Sequence, residues 1–529
     1  MMVNLFNNTM MKKIEMLVCG LAVLLVGASC SHDLLEITNP NEPTTETFWK
    51  TEDDAQKGLD AAYSRFYKEG TWMRWLSFRY DLGSDEGWST SPWNELADWT
   101  RFNYVNYNFW EGNNVHWEDF YVGVFRANQV LQYVPEIPFE DNAYKDHIIG
   151  QAEFLRALWY FQIAILWEKG ALVLEPKDGS YKPEEVSEAQ LWAQVEIDLQ
   201  SAAAKLPESW DAQNRGRATT GAARALLAKA YMQQHKFQEA KAELQWLIDR
   251  ENGLYGLMDE YMDNFTHYNE NNRESVFEIQ FDDENKGNTG NNASMATGFQ
   301  RTQFYAPGGI GWQDGKARAW LVDEYKRETT LDGGNDMRLY QNIYYKDSPA
   351  DFPNENPLIY GRQWDTGEWG DHMFIRKYST GYFRDREDYF APNNYRLIRY
   401  ADILLMYAEC VVETGGSPAE AAVYVNKVRQ RPSTNLPALE NSVFSASLAS
   451  KDAFLKRLQM ERTLELCFEG WRWADLKRWG LLETQAGIDE LKTRDADFNN
   501  FVLGRHHRLP IPQIEVDNSE GKLTQHIEY

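Results

Sequence analysis

Apolar residues recur at helical spacing in two parts of the chain. Thr51 precedes three acids and then Ala55, Leu59 and Ala62, which is the pattern of a capped amphipathic helix. The same spacing predicts further helices at 148–166, 185–206 and 220–250, and again from 394 to about 480. The chain therefore has helical regions on both sides of a long middle segment.

The segment 220–250 divides into a helix, a short turn and a second helix, with the spacing of a tetratricopeptide repeat. Its apolar positions are Leu227, Ala228, Tyr231, Ala240, Leu244 and Leu247. A looser copy spans 403–428 around a Gly-Gly-Ser-Pro turn. One such pair cannot bury its own apolar face, so we expect several pairs to stack.

Residues 251–394 lack this periodicity. Clusters of Gly, Pro and Asn separate strand-like runs at 275–280 and 339–345, and 282–298 is predicted to be a mobile loop. The sequence thus predicts a mainly α fold. Its parts are a tetratricopeptide-like helix-pair scaffold, a large irregular loop region and a few short strands.

Residues 71–121 hold seven of the 20 tryptophans of the chain, together with amides, carboxylates and arginines. These tryptophans are Trp72, Trp75, Trp88, Trp93, Trp99, Trp110 and Trp117. A sugar packs its C–H face on an aromatic ring while polar side chains pair with its hydroxyls. Gly, Ser, Pro and Asn from 83 to 94 predict a loop, where binding residues concentrate. We interpret the stretch as a sugar-binding surface, although any one of these rings could belong to the core.

The best mixture of rings and polar groups lies between residues 81 and 100. The predicted ligand-binding residues of this part are Trp88, Trp93, Trp99, Asp85, Asn94 and Arg101. Two further candidates from the opposite loop region are Trp312 and Trp320. Buried positions are expected instead for Trp72, Trp75, Trp110 and Trp117.

Carboxylates offer an enzymatic alternative. A glycoside hydrolase holds two carboxyl groups about 5 to 10 Å apart. The candidates for such a pair are Asp81, Asp85, Glu86, Glu95 and Asp98. Glu461, Glu465 and Glu469 recur every fourth residue elsewhere, but nearby arginines favour an ion-pair network there. Arg156, in an apolar helix, is likewise expected to pair with Glu153.

Composition excludes several other classes of function. The net charge is −26 and there is no basic stripe, which argues against binding to nucleic acid. The four cysteines form no C-x-x-C and accompany no histidine cluster, so neither a metal nor another cofactor is predicted. Cys410 and Cys467 lie in apolar helical patterns and are expected to be buried thiols.

The first thirty residues have the pattern of an export signal. Lys12 and Lys13 precede an apolar run at 17–27, and small residues then lead to Cys30. The run is too short to span a bilayer as a stable helix. It resembles a bacterial lipoprotein signal, with cleavage before Cys30 and lipid on that thiol. An ordinary cleaved secretory signal is the alternative.

Five segments together resemble the SusD/RagB family of outer-membrane nutrient-binding lipoproteins of Bacteroidetes. They are GQAEFLRA at 150–157, GRATTGAARALLA at 216–228, LIRYADILLMYAE at 397–409, ERTLELCFEGWRWADLKRW at 461–479 and PIP at 510–512. They occur in order along nearly the whole mature chain. Cys410 and Cys467 depart from the alanine usual in the family.

The resemblance implies a lipid-anchored, non-catalytic protein of the outer membrane that captures glycans and hands them to a SusC-like TonB-dependent transporter. It also implies a division into a signal peptide (1–29), a tether (30–50), an N-terminal helical region with the aromatic stretch (51–250) and a C-terminal region (251–529). Within the last, 251–394 is expected to be irregular and 395–480 helical. A repeat scaffold that binds protein, with its aromatics buried, is the alternative. The ligand residues of the family lie in variable loops, so the site prediction rests on side-chain chemistry.

Overall fold

The acids after Thr51 begin a helix where the sequence predicts one. The Thr51 hydroxyl accepts a hydrogen bond from the Asp54 N–H (3.2 Å), and the Asp54 carboxylate accepts one from the Thr51 N–H (2.9 Å). This capping box fixes the start of α1 (Glu52–Tyr63) because it satisfies two otherwise unpaired amides.

A computed structural model describes residues 48–104, 111–177, 179–284, 297–346 and 359–529. Cys30, Trp110 and the segment 285–296 lie outside these ranges. Residues 51–529 form one compact unit. The predictions of a lipid anchor at Cys30 and a buried Trp110 therefore concern residues that are not described.

Helices make up most of the regular structure in the described residues. After α1 they are α2 (Trp75–Leu82), α3 (Asn94–Thr100), α4 (Glu111–Tyr133), α5 (Asn142–Trp167), α6 (Glu188–Lys205), α7 (Thr220–Gln233), α8 (Phe237–Ile248), α9 (Arg301–Tyr305), α10 (Ala319–Tyr325), α11 (Arg338–Asn342), α12 (Tyr400–Glu413), α13 (Pro418–Arg429), α14 (Lys451–Leu466), α15 (Arg472–Arg478), α16 (Gln485–Lys492) and α17 (Gln513–Asn518).

The long helices form one stack in chain order. Helix α4 packs on α5, α5 on α6, α6 on α7 and α7 on α8. Helix α8 then packs on α12, and α12 packs on α13 and α14. The two predicted helix pairs therefore belong to the same scaffold although the irregular region separates them in sequence. This confirms the predicted fold class of stacked, tetratricopeptide-like helix pairs.

The buried Arg156 of α5 pairs with the neighbouring helix rather than along its own. Its guanidinium donates to both carboxylate oxygens of Asp198 on α6, at 2.8 and 2.7 Å. Glu153 instead accepts from Lys205 at 2.8 Å. The predicted pair of Arg156 with Glu153 is wrong, because α6 presents a carboxylate in bidentate geometry.

Short strands supplement the helices and connect distant segments. They are β1 (Gly87–Ser89), β2 (Lys169–Ala171), β3 (Glu185–Ser187), β4 (Ser275–Ile279), β5 (Gly315–Ala317), β6 (Ile343–Tyr344), β7 (Phe374–Ile375) and β8 (Tyr395–Arg399). The order β1-β5-β7-β6 forms one sheet, and β2-β3 and β4-β8 form two antiparallel pairs. The predicted strand at 339–345 is mostly wrong, since α11 occupies its first half.

The antiparallel pairing of β1 with β5 positions the candidate site. Gly87 lies opposite Ala317 and Ser89 lies opposite Gly315. The chain leaving β1 and the chain entering β5 therefore lie at the same end of the pair. That arrangement brings residues just after 89 close to residues just before 315.

A buried ion-pair network surrounds α14 and the residues that follow it. Glu465 accepts hydrogen bonds from Arg338 (2.8 Å), Arg399 (2.7 Å) and Arg431 (2.8 Å). Glu461 and Glu469 are paired in the same way, with Arg429, Arg457, Arg399 and Lys377. Burial alone would raise the pKa of Glu465, but the three guanidinium charges outweigh burial and lower it. The predicted ion-pair network is present, but the nearby arginines that suggested it (Arg462, Arg472 and Arg478) pair with other carboxylates.

The two described cysteines are buried, as predicted. Cys410 and Cys467 are both free thiols. Burial raises the pKa of Cys467 to about 12, so its sulfur stays protonated and unreactive at neutral pH. None of the described helices has the length and apolar composition needed to cross a bilayer.

Candidate ligand-binding site

Four aromatic rings form a surface beside α3, which we call the Trp312 surface. Its members are Trp93, Phe304, Trp312 and Tyr389. The Phe304 centroid lies 4.9 Å from Trp312, 5.9 Å from Tyr389 and 6.4 Å from Trp93. Phe304 is fully buried, Trp93 and Tyr389 are half-buried, and Trp312 is 46% exposed. Phe304 is thus the floor on which three partly open rings rest.

The backbone of Trp312 is fixed against α9. Its N–H donates to the Gln303 carbonyl at 2.8 Å, and the Asp314 N–H donates to the Phe304 carbonyl at 2.7 Å. Gly311 permits this close approach, because a Cβ there would lie 2.5 Å from the Gln303 oxygen. The exposed indole therefore projects from a rigid turn.

Trp93 is held in a similar way from the other side. Its ring packs edge-on against the buried Trp75, with centroids 4.6 Å apart and planes at 82°. The backbone N–H of Trp93 donates to the Ser91 hydroxyl at 3.0 Å. One edge of Trp93 is consequently used for packing, and part of its surface remains accessible.

A buried cation lies among these rings. The Arg74 guanidinium is 5.8 Å from the Phe304 centroid and 5.9 Å from those of Trp75 and Tyr389. It also forms an ion pair with Glu69. Cation–π contacts of this kind contribute about 0.5–2 kcal/mol each. Arg74 ties together rings from three separate parts of the chain.

The segment that carries Tyr389 is fixed by its neighbours. The Phe390 N–H donates to the Asp388 carboxylate at 2.8 Å, and Arg384 donates to the Phe390 carbonyl at 3.0 Å. The Phe299 N–H donates to the Ala391 carbonyl at 2.8 Å. The phenol ring of Tyr389 therefore has a defined position beside Trp312, 5.4 Å between centroids.

Some predicted site residues lie at this surface. Trp93 and Trp312 belong to it, although they are more than 200 positions apart in sequence. Asn94, the first residue of α3, is exposed directly after Trp93. Arg101 is exposed just past the other end of this short helix, about 10 Å from Asn94.

Two other predictions are wrong about exposure. Trp99 is fully buried, with its ring 5.5 Å from Trp75 and stacked on His116 at 5.9 Å. Asp85 is also buried, and both of its oxygens accept hydrogen bonds from Arg472 at 2.6 Å. Burial would raise the pKa of Asp85, but the adjacent Arg472 charge lowers it. Neither side chain is open to a ligand, because Trp99 belongs to α3 and the irregular segment that carries Asp85 is itself buried.

Trp88 and Trp320 lie along β1 and α10, apart from the four rings described above. The Trp88 indole N–H donates to the Ala317 carbonyl at 3.2 Å, and that of Trp320 donates to the Asp85 carbonyl at 2.6 Å. Both rings are half-buried. Their only side-chain donors therefore hold strands and loops together. Trp72, Trp75 and Trp117 are buried, as predicted.

Four of the five carboxylates considered for hydrolysis are buried, and Asp98 is half-buried. Asp81 accepts from the Tyr305 hydroxyl at 3.1 Å and is itself buried. Glu86 is buried, which raises its pKa well above the usual value. Glu95 is also buried, and Asp98 accepts from the Asn103 amide at 3.0 Å. These side chains stabilise local structure and do not line an open cleft as a carboxylate pair.

Two family profiles match this chain. The profile described as "SusD family" matches residues 273–529, and the one described as "Starch-binding associating with outer membrane" matches residues 35–232. The chain belongs to the SusD/RagB family. The resemblance seen in the five sequence segments is thereby confirmed.

Relatives and solved structures of SusD/RagB type match most of the chain. SusD-like protein P38 of Formosa agariphila is 26% identical over 520 residues, covering 92% of this chain and 95% of the relative. A SusD superfamily crystal structure from Bacteroides vulgatus has a TM-score of 0.77 at 26% identity, covering 91% of this chain and all of that one. A laminarin-binding SusD-like protein has a TM-score of 0.72 at 26% identity, with the same coverage.

Sequence reasoning missed three contributors to the Trp312 surface in this SusD/RagB chain. Phe304, Tyr389 and Arg74 have no special spacing that marks them. Tyr389 alone carries a signal, because it follows the charged run Asp-Arg-Glu-Asp at 385–388, where an aromatic ring has few apolar neighbours in sequence. Tertiary contacts from β1–β5 pairing and the 384–391 segment create the surface.

Proposed function

We propose that this chain is a non-catalytic, cell-surface glycan-binding lipoprotein that captures oligosaccharide or polysaccharide on the Trp312 surface. Trp312 carries the proposal, because it is a large exposed ring fixed on a rigid turn. A fixed ring stacks on a sugar without losing further side-chain entropy. The laminarin-binding relative makes laminarin the first polysaccharide to test.

Polar groups near the rings suit sugar hydroxyls. Glu69 lies at the Arg74 ion pair, and Asn94 is exposed beside Trp93. Carboxylate and amide groups accept and donate the hydrogen bonds that orient a stacked sugar. A shallow surface of this kind should bind with dissociation constants of μM to mM, about −8 to −4 kcal/mol.

The absence of catalysis is part of the proposal. The five carboxylates within 81–98 are engaged in ion pairs and hydrogen bonds or are buried. A glycosidase would require two of them to flank a bound sugar. Incubation with laminarin, xylan and mannan should release no reducing ends.

Delivery to a membrane transporter completes the proposed role. The profile name for residues 35–232 associates that family with the outer membrane, and the sequence before Cys30 resembles a lipoprotein signal. We propose lipidation at Cys30, attachment to the outer membrane facing the exterior, and partnership with a SusC-like TonB-dependent transporter. Cys30→Ala should release the protein from membranes that lack the transporter, and co-purification in mild detergent tests the complex. Retention of the variant on such membranes would contradict the anchor.

The binding site is tested by Trp312→Ala with Tyr181→Ala as a matched control. Both side chains are 46% exposed, but Tyr181 lies elsewhere, near Lys177. Calorimetry with laminarin and other neutral polysaccharides should show that Trp312→Ala weakens binding about 5- to 30-fold, which corresponds to 1–2 kcal/mol. The control should bind like the wild type, and both melting temperatures should stay close to it.

Two outcomes would contradict the proposal. Equal binding by wild type and Trp312→Ala would mean that the surface is not the site. Failure of the wild type to bind any neutral polysaccharide, together with retained transporter binding, would favour the protein-binding scaffold.

A further inference from the structure

A second group of rings reaches the surface, formed by His267, Tyr268, Tyr382 and Phe383. We call it the Tyr268 surface. His267 lies 4.5 Å from Phe383, Tyr268 lies 5.4 Å from Tyr382, and Tyr382 lies 4.9 Å from Phe383, between centroids. Tyr268 is 65% exposed and Phe383 is 38% exposed. A cluster of large aromatic rings that are exposed to solvent indicates an interaction site.

Hydrogen bonds fix this cluster from below. The Tyr382 hydroxyl accepts a hydrogen bond from the backbone N–H of His267 at 2.9 Å and lies 2.7 Å from the ring Nδ1 of the same residue. It also contacts the side-chain oxygen of Asn393 at 3.4 Å, and this buried amide donates to the Phe265 carbonyl at 2.8 Å. The rings are therefore positioned before any ligand arrives, which reduces the entropy lost on binding.

The cation that contacts the cluster is already paired with carboxylates. The Arg384 guanidinium lies 5.0 Å from the Phe383 centroid and pairs with Asp283 (3.1 Å) and Asp388 (3.0 Å). Its single positive charge thus faces two carboxylates. An anionic polymer would be repelled here, whereas an uncharged ligand would not.

From these contacts we propose that the Tyr268 surface is a second carbohydrate-binding surface, selective for uncharged sugar chains. The ligand class rests on the proposed function of the Trp312 surface. A protein partner fits less well, because a stable interface needs about 800 Å² per side and a mostly apolar core. The exposed ring and hydroxyl of Tyr268, beside the partly exposed ring of Phe383, instead match the C–H faces and hydroxyls of a sugar.

One segment supports both surfaces. Residues 382–389 carry Tyr382 and Phe383 at one end and Tyr389 at the other. Arg384 connects them, since it lies over Phe383 and donates to the Phe390 carbonyl. A polysaccharide that occupies both surfaces gains avidity, while a short oligosaccharide occupies one at a time.

The test uses the full chain and the double variant Tyr268→Ala/Phe383→Ala. In affinity gels containing laminarin, xylan, mannan or galactan, the double variant should bind the recognised polymer about 3- to 10-fold more weakly. Trp312→Ala should retain residual binding that the combined triple variant loses. Tyr181→Ala is again the control for surface exposure, and unchanged melting temperatures verify folding. Alginate, an anionic polymer, should not be retained.

The outcomes separate this inference from the proposed function. Unchanged polymer binding by the double variant, with loss in Trp312→Ala, overturns the second surface and leaves the first standing. Loss of transporter co-purification with unchanged glycan binding also overturns it, in favour of a protein contact. A wild type that binds none of the neutral polymers overturns both.

Discussion

The α14 network and the Trp312 surface both contain side chains of the types found in binding sites. The fold buries and pairs those of the network, whereas it leaves some of those at the surface exposed. Around α14, every carboxylate from Glu461 to Glu469 is buried and paired with arginine or lysine. At the Trp312 surface, Phe304 supports the rings from below while Trp312 stays 46% exposed. The charged groups of the first region are paired within the protein, whereas the second leaves part of Trp93, Trp312 and Tyr389 accessible.

This difference shows that residue type alone does not identify a site. A buried charge must be paired within the protein, since an unpaired one costs several kcal/mol. A half-exposed ring carries no such requirement and can stack on whatever reaches it. Substitutions in the two regions should therefore differ in effect. Removing a buried, paired group should lower stability, whereas changing an exposed group at the Trp312 surface should alter binding.

The largest effect is expected from Glu465→Ala. This change removes the one carboxylate that Arg338, Arg399 and Arg431 share. Their other partners (Asp336, Glu274 and Glu469) remain but no longer balance all of the buried positive charge, so the free energy of unfolding should fall by about 4–5 kcal/mol. Urea unfolding measures it. Asp489→Ala, which removes an exposed pair with Lys492, should leave stability close to that of the wild type, because water and salt screen an exposed ion pair. A similar small effect in both variants would contradict the structural role of the network.

A somewhat smaller loss of stability is expected from Trp99→Ala. Trp99 is fully buried against Trp75 and His116, so its truncation leaves a cavity and should cost about 3–4 kcal/mol. Trp93→Ala, six residues earlier, should cost less stability and weaken glycan binding instead. Thermal unfolding and calorimetry on both variants separate the core ring from the surface ring. Unimpaired stability of Trp99→Ala would reverse that assignment.

Glu270 shows how a carboxylate that is largely buried without an ion pair should make stability depend on pH. Within the described residues no arginine forms an ion pair with it, and burial raises its pKa from 4.5 to about 7 despite a hydrogen bond from the Asn394 N–H. Between pH 4.5 and 7 the folded state therefore binds a proton that the unfolded state releases. Its contribution to stability is fully present below pH 4.5 and is lost as pH rises through 7.

Glu270→Gln removes this titration while keeping an oxygen that can accept the Asn394 N–H. The variant should be more stable than the wild type at pH 7.5, by up to about 3 kcal/mol. The difference should shrink towards pH 4.5, because both side chains are then uncharged. Urea unfolding across this range measures it. A difference that does not change with pH would show that Glu270 titrates normally in the folded protein.

The helical scaffold was predictable because its signals are local. Thr51 caps α1 through its own neighbours, and the repeat spacing at Leu227 and Ala228 reflects one helix face. The ion-pair network was predictable in kind, but most partners of Glu465 come from other elements. The partner of Arg156 was not predictable from local spacing, because it is Asp198 on the adjacent helix and not Glu153 on the same helix.

The candidate site was only partly predictable because exposure is a tertiary property. Trp93 and Trp99 lie in the same sequence neighbourhood, yet one is at the surface and the other is core. Glycine and serine residues near 83–91 do form irregular backbone on both sides of β1, but most of this segment is buried. Its glycines allow close packing, since a Cβ on Gly87 would lie 2.6 Å from the Asp81 carbonyl oxygen. Tyr389 could not be placed beside Trp312 without the tertiary contacts of its own segment, such as the hydrogen bond from the Phe299 N–H to the Ala391 carbonyl.

The smallest expected effect distinguishes two exposed polar residues at opposite ends of α3, Asn94 at its start and Arg101 just past its end. Asn94→Ala should weaken glycan binding about 2- to 10-fold, which is the loss of one hydrogen bond of about 0.5–1.5 kcal/mol. Arg101→Ala should leave binding unchanged, because Arg101 follows the far end of the helix from Trp93. Both side chains are exposed, so neither change should alter the melting temperature. Calorimetry with the glycan that the wild type binds measures both. An equal loss in the two variants would extend the site along α3, and a loss in Arg101→Ala alone would move it away from the Trp312 surface.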